Sequence, residues 1–153
     1  MEPIRVDPIG VVVGGREEPV DDGWGPVEAS IALHDRFDPS ALDGLDEFSH
    51  VEVVTFFHLV PTDAVTTGSR HPRGRTDWPR VGIFAQRAKA RPNRIGVSVC
   101  ELLGVDELNL RVRGLDAIDG TPVLDVKPYL REFAPRGEVH EPAWAAELMR
   151  EYW

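Results

Sequence analysis

Three short stretches of the 153-residue chain carry side chains whose types and spacing suit chemistry. The first is Ala90-Arg91-Pro92-Asn93-Arg94-Ile95-Gly96. Proline fixes its own φ and pushes Arg91 toward extended backbone. Asn93 tolerates left-handed geometry, and Gly96 removes a side chain just inside the apolar run that follows, which marks a bulge or a close approach. The product is a rigid corner that aims Arg87, Arg91 and Arg94 in fixed directions. The planar donor fork of arginine matches carboxylates and phosphates. The same residues also make an ordinary turn before a strand, and physics alone leaves both readings open.

The corner closes a basic window. Residues 70–94 hold eight Lys or Arg against one Asp, a local net of +7 in a chain whose formal net charge is −9. Such segregation points to an anion-binding surface rather than to scattered solubilising charge. The second stretch, Asp116-Ala117-Ile118-Asp119-Gly120-Thr121-Pro122, offers two carboxylates for ribose hydroxyls or a cationic amine, with Ile118 apolar enough to cover a flat ring. Asp-Gly is equally a hairpin turn signal. The third, Phe57-His58-Leu59, leaves a long apolar run, and a strand end at a barrel rim is where pockets form.

These stretches must be held by strands. Runs at 9–13, 27–33, 50–60, 95–105, 108–114 and 122–130 are β-branched or alternate with period two between Gly, Pro and Asp punctuation. Residues 108–114 give the clearest alternation, Leu108, Leu110 and Val112 against Asn109, Arg111 and Arg113. Ile95, Val97 and Val99 share one face of their run. Helical signal is confined to a short turn starting near Asp38 or Ser40 and to a C-terminal helix opening at Pro142, with Trp144, Leu148 and Tyr152 on one stripe. Most gaps between strands lack room for crossover helices. The fold expected is mainly β, a small closed antiparallel barrel with short helices, as one domain over 1–153.

Composition narrows the classes. Hydrophobic residues at 42% and charged residues at 28% describe a globular chain, and no apolar run is long enough to span a bilayer. One cysteine excludes an internal disulfide, and the N-terminus has no basic segment followed by an apolar one, so a cytoplasmic protein is expected. The five histidines are scattered, so no metal site is expected. Neither a Walker loop nor a Gly-rich dinucleotide loop follows any strand. Within the acidic loop 14–30, Trp24 either stacks on a base or anchors the loop.

Four strings in order, DPIGVV (7–12), GLDEFSHVEVVTFFH (44–58), VGIFAQRAKARPNRIGVSVCELLGV (81–105) and GLDAIDGTPVLDVKPYL (114–130), resemble the TsaA/TrmO-like family. These are β-barrel, class VIII S-adenosylmethionine-dependent methyltransferases. The resemblance implies a homodimer of small barrels with S-adenosylmethionine near the dimer interface. It also implies N6-methylation of N6-threonylcarbamoyladenosine beside a tRNA anticodon. Carried over position by position, cofactor contacts fall on Phe57, His58, Leu59, Arg87, Val97, Asp116, Ala117, Ile118 and Asp119. Arg91, Asn93, Arg94 and Lys127 become substrate contacts, and the window from Arg70 to Arg94 becomes the tRNA surface. His58, Asp116 and Asp119 are the candidates for a general base, with none preferred. Longer bacterial members carry a further C-terminal domain. A methyltransferase for a small molecule and a non-catalytic S-adenosylmethionine-binding module are the rival readings.

Overall fold

The computed structural model describes all residues from Met1 to Trp153. Six antiparallel strands close a barrel in the order β1-β2-β7-β6-β3-β8. They are β1 (Gly10–Val13), β2 (Glu28–Leu33), β3 (His50–Phe56), β6 (Ile95–Asp106), β7 (Asn109–Arg113) and β8 (Pro122–Pro128). A separate two-stranded ribbon pairs β4 (Ser69–Arg70) with β5 (Val81–Gly82). The one α-helix, α1, spans Ala143–Leu148. No helix is long and apolar enough to cross a membrane.

Alternation fills the barrel. Val12, Ile31, Val51, Val53, Leu110, Val112 and Val123 point inward with no exposed surface. Each such burial removes enough apolar area to be worth roughly 1.5–3 kcal/mol. Closure also leaves no free edge for a second sheet to pair with. On β6 the inward positions are Ser98 and Cys100, opposite Val53 and Val51. Ile95, Val97 and Val99 therefore face outward, each about 40% exposed. A bulge between Leu102 and Gly104 shifts the β6–β7 register, and Val105 then pairs with inward-facing Leu110.

Two expected elements end early, and one turn signal closes no hairpin. The run at 50–60 leaves the sheet after Phe56, because Phe57 turns to accept the bond from the Val60 amide and donates its own amide to Arg94. The C-terminal helix ends at Leu148, and Tyr152 lies beyond it in a turn closed by its amide on the Met149 carbonyl. The segment 114–121 is no hairpin, since β7 and β8 are not neighbours in the barrel. It crosses the barrel end instead, with Leu115, Ala117 and Ile118 buried under it. The short turn after Asp38 forms as expected, a 3-10 turn over Pro39–Leu42 whose Ser40 amide is capped by the Asp38 carboxylate.

The basic window is not a loose loop. Its ribbon is tied by the buried Gln86 amide, which donates to both the Arg70 and Val81 carbonyls. The His71 ring bonds the Trp78 carbonyl at 2.8 Å, and Trp78 is itself buried.

Candidate functional site

The corner at Arg91–Gly96 is built as its residue types require. Arg91 is extended, Asn93 and Arg94 adopt φ of +64° and +51°, and the Arg94 amide closes the turn on the Arg91 carbonyl. Its arginines are committed to backbone. Arg91 donates to the Gln86 carbonyl at 2.7 Å, and Arg94 donates to Val60 at 2.7 Å while lying 4.6 Å over the Phe56 ring. Each guanidinium retains further donors, so both hold the corner and still present charge.

Gly96 has a steric reason. A Cβ there would lie 2.7 Å from the Phe57 ring and 2.7 Å from Thr55 Oγ1. The missing side chain lets Phe57 pack across the start of β6, and that packing fixes where His58 and Leu59 follow. His58 in turn reaches the 116–120 segment, its Nε2 being 3.9 Å from where a Gly120 Cβ would stand. Arg87, on the exposed turn after β5, donates to the carbonyl of Val97 at 2.6 Å. Phe57, His58, Leu59, Arg87, Val97 and the 116–120 segment thus converge on one end of the barrel.

The two acidic candidates are held differently. Asp119 accepts from the Gly14 amide at 2.7 Å, pinning the end of β1 to the crossing segment. Asp116 accepts from the Ser98 hydroxyl on one carboxylate oxygen and from the Tyr152 hydroxyl, at 2.6 Å, on the other. Two protein donors on one carboxylate make it a fixed acceptor. Its charge reaches inward: burial first, and Asp116 second, push the Cys100 thiol up to about 12. Burial likewise raises the Tyr152 phenol, Asp116 adding to it and the Arg87 and Arg73 charges opposing. Tyr152 therefore stays a protonated donor at neutral pH. Ala117 and Ile118 are buried, which leaves mainly their backbone for a ligand.

Lys127 stands apart. It pairs with Asp125 on its own strand and sits across from Glu52, four residues along β3 from Phe56 and so roughly 13 Å from the Arg94 stack. Trp24 is buried with the Arg16 guanidinium 4.7 Å over its ring, the loop-anchoring one of its two readings. Tyr152 and Ser98 are site neighbours that local pattern did not reveal. Tyr152 reads as one more apolar helix position, and only the fold brings it 36 residues back to Asp116.

Two surface depressions flank the β6–β7 hairpin, one lined by Ser30, Asn109 and Arg111 and the other by Asp43, Asp46 and Glu107. Neither contains a candidate residue.

Comparison with known proteins gives one consistent answer. A family model described as tRNA-methyltransferase O N-terminal domain matches residues 17–134. A protein of Methanothermobacter thermautotrophicus named a probable S-adenosyl-L-methionine-binding protein is 38% identical over 138 residues, covering 88% of this chain and 96% of that one. The Escherichia coli tRNA (adenine(37)-N6)-methyltransferase is 42% identical over 94 residues, 59% of this chain and 40% of its own. A crystal structure of TrmO from Pseudomonas aeruginosa superposes with a TM-score of 0.75 at 30% identity, over 94% of this chain and 62% of that one. The chain thus spans nearly all of the archaeal relative but less than two thirds of the bacterial proteins. It belongs to the tRNA-methyltransferase O N-terminal domain family.

Proposed function

We propose that this protein is an S-adenosylmethionine-dependent methyltransferase that N6-methylates N6-threonylcarbamoyladenosine in tRNA. The observation that carries this reading is the meeting, at one barrel end, of Phe57–Leu59, Arg87 with Val97, and the Asp116 segment. That donor set suits the group. S-adenosylmethionine offers a carboxylate for Arg87, an ammonium and ribose hydroxyls for acidic or backbone acceptors along 116–119, and a flat ring for Phe57, Leu59 and Val97. Its sulfonium supplies an activated methyl group, and transfer is an in-line displacement that positioning accelerates. The chain's share is to orient both partners and exclude water. His58, Asp116 and Asp119 are the titratable groups at this barrel end that would accept the proton released from nitrogen. Asp116 and Asp119 already hold protein donors, which suits them to positioning and leaves His58 the freest of the three.

Six cations of the basic window, Arg70, Arg80, Arg87, Lys89, Arg91 and Arg94, make no salt bridge, while Arg73 and Arg75 are neutralised by Asp22, Asp77 and Glu147. Bonds from five of the six to backbone carbonyls leave the charge uncompensated for RNA phosphates. The outward stripe of Ile95, Val97 and Val99, exposed beside the site in a chain with only 22 buried residues, is the face on which two copies would pair. That pairing would place a second copy beside the site, since Val97 belongs to both. Cytoplasmic residence follows from a tRNA substrate.

The name of the archaeal relative, covered over almost its whole length, mentions binding only, and this favours a non-catalytic module as the second reading. Transfer of labelled methyl to bulk tRNA separates the two. Label entering tRNA from cells that make threonylcarbamoyladenosine, and not tRNA from cells that cannot, is the expected result. Cofactor binding with no label in either pool would establish the second reading or turn the search to small acceptors.

A further inference from the structure

The family match ends at residue 134, yet one wall of the site comes from beyond it. The turn after α1 is strapped onto the acidic loop by two backbone bonds, Gly23 amide to the Glu151 carbonyl and Trp24 amide to the Tyr152 carbonyl, both 2.8 Å. Gly25 permits the contact, since a Cβ there would lie 2.7 Å from the Trp153 backbone. Glu147 fastens the same segment to the ribbon by accepting from the Trp78 indole at 2.9 Å. Arg73 then ties ribbon to loop through a two-pronged pair with Asp22 at 2.9 and 2.7 Å. With its backbone fixed from two sides, Tyr152 has little freedom except to place its hydroxyl, and it places it on Asp116.

We propose that Tyr152 is a positioning residue of the cofactor site, holding the Asp116 carboxylate in its binding orientation. The C-terminal turn is then part of the functional unit of this chain. This inference rests on the reading of the barrel end as an S-adenosylmethionine site. Ser98 and Tyr152 each occupy one oxygen of Asp116, so the carboxylate is held against rotation and its remaining lone pairs keep one direction. Loss of the phenol frees one oxygen to turn toward solvent. The aromatic ring alone does not replace it.

Calorimetric titration of the full chain with S-adenosylmethionine, using wild type, Tyr152→Phe, Asp116→Asn and the double variant, tests this. Tyr152→Phe keeps the ring and is expected to lower the melting temperature modestly, because the bond to Asp116 is already made without ligand, and to weaken affinity about tenfold; only the affinity loss bears on the cofactor. The double variant is expected to bind no worse than Asp116→Asn alone, the signature of residues acting as a unit. A Tyr152→Phe affinity within twofold of wild type, or losses that simply add, overturns the proposal and leaves the cofactor reading standing. A wild type that does not bind overturns both. Should Tyr152→Phe fail to fold, 3-fluorotyrosine labelling reads the same contact, because the chain has only two tyrosines. The Tyr152 fluorine resonance, assigned with Tyr129→Phe, is expected to shift on addition of S-adenosylmethionine. A Tyr152 resonance that stays in place through saturation overturns the proposal.

Discussion

Gly96 and Phe57 form a fitted pair: the ring lies where a Cβ at position 96 would stand, 2.7 Å from its nearest carbon. Gly96→Ala must therefore displace the ring or the strand. Overpacking of this kind costs about 1–3 kcal/mol, and Thr55 on the other side blocks easy relief. The expected outcome is a lower urea midpoint together with weakened S-adenosylmethionine affinity, since His58 and Leu59 follow Phe57. Affinity retained at full strength in a destabilised protein would show that this turn does not hold the ligand.

Arg87 gives the opposite balance. It is exposed and bonded to one carbonyl, at Val97, so its removal should move stability by no more than about 0.5 kcal/mol. The carboxylate-binding role proposed for it predicts at least tenfold weaker calorimetric affinity for S-adenosylmethionine in Arg87→Ala. Arg87→Lys should recover only part of that loss, because an ammonium cannot reproduce the two-donor fork. Unchanged affinity in the alanine variant removes Arg87 from the site.

The ease with which these roles emerge from sequence differs for a physical reason. The Pro92-Asn93 corner and the Asp38 cap are local: their geometry is set by φ preferences and hydrogen bonds a few residues long, so residue types declare them. The barrel was legible because period two over 108–114 and Gly-Asp punctuation leave few alternatives. Which side of β6 faces inward was not, since Ile95, Val97 and Val99 are as apolar as a core face. Only pairing of Ser98 and Cys100 with Val53 and Val51 decides it. The Asp-Gly pair at 119–120 does make a turn, closed by the Thr121 amide on the Ile118 carbonyl, and strand order alone decides that this turn closes no hairpin. Tyr152 and Ser98 meet Asp116 through contacts that no local pattern encodes.

Alkaline pH should destabilise the fold through Cys100. Its thiol ionises near 9 when unfolded and at about 12 in the barrel. Between those values the unfolded chain has given up a proton that the native chain still holds, so stability is complete below pH 9 and declines as pH rises toward 12. Three units correspond to a ceiling of about 4 kcal/mol. The raised Tyr152 phenol acts in the same direction. Urea midpoints measured at pH 8, 9.5 and 11 should fall, and the fall should be shallower in Cys100→Ala. Equal slopes in the two proteins would mean that Asp116 and burial do not hold the thiol protonated. At pH 8 the native thiol should also react slowly with a disulfide reagent and quickly once unfolded.

The basic window makes a prediction that separates charge available to RNA from charge already spent. Each phosphate neutralised by a cation releases counterions, so the logarithm of affinity falls against the logarithm of salt by roughly 0.7 to 0.9 per contact. Arg80 and Lys89 are exposed and bonded only to the Ser69 and Pro19 carbonyls, so alanine at either position should reduce the slope for tRNA by about one such unit. Arg73 is consumed by Asp22, and Arg75 by Asp77 and Glu147 with its guanidinium 3.9 Å over the Trp78 ring. Alanine at these two positions should leave the slope alone and instead lower the melting temperature, because the pairs hold the ribbon to the loop and to the C-terminal segment. Filter binding across a range of salt concentrations checks both halves. A slope that drops equally for all four variants would mean the ion pairs open when RNA arrives. A flat slope in the wild type would remove tRNA as the partner of this surface, because an anionic polymer held by several arginines cannot be indifferent to salt.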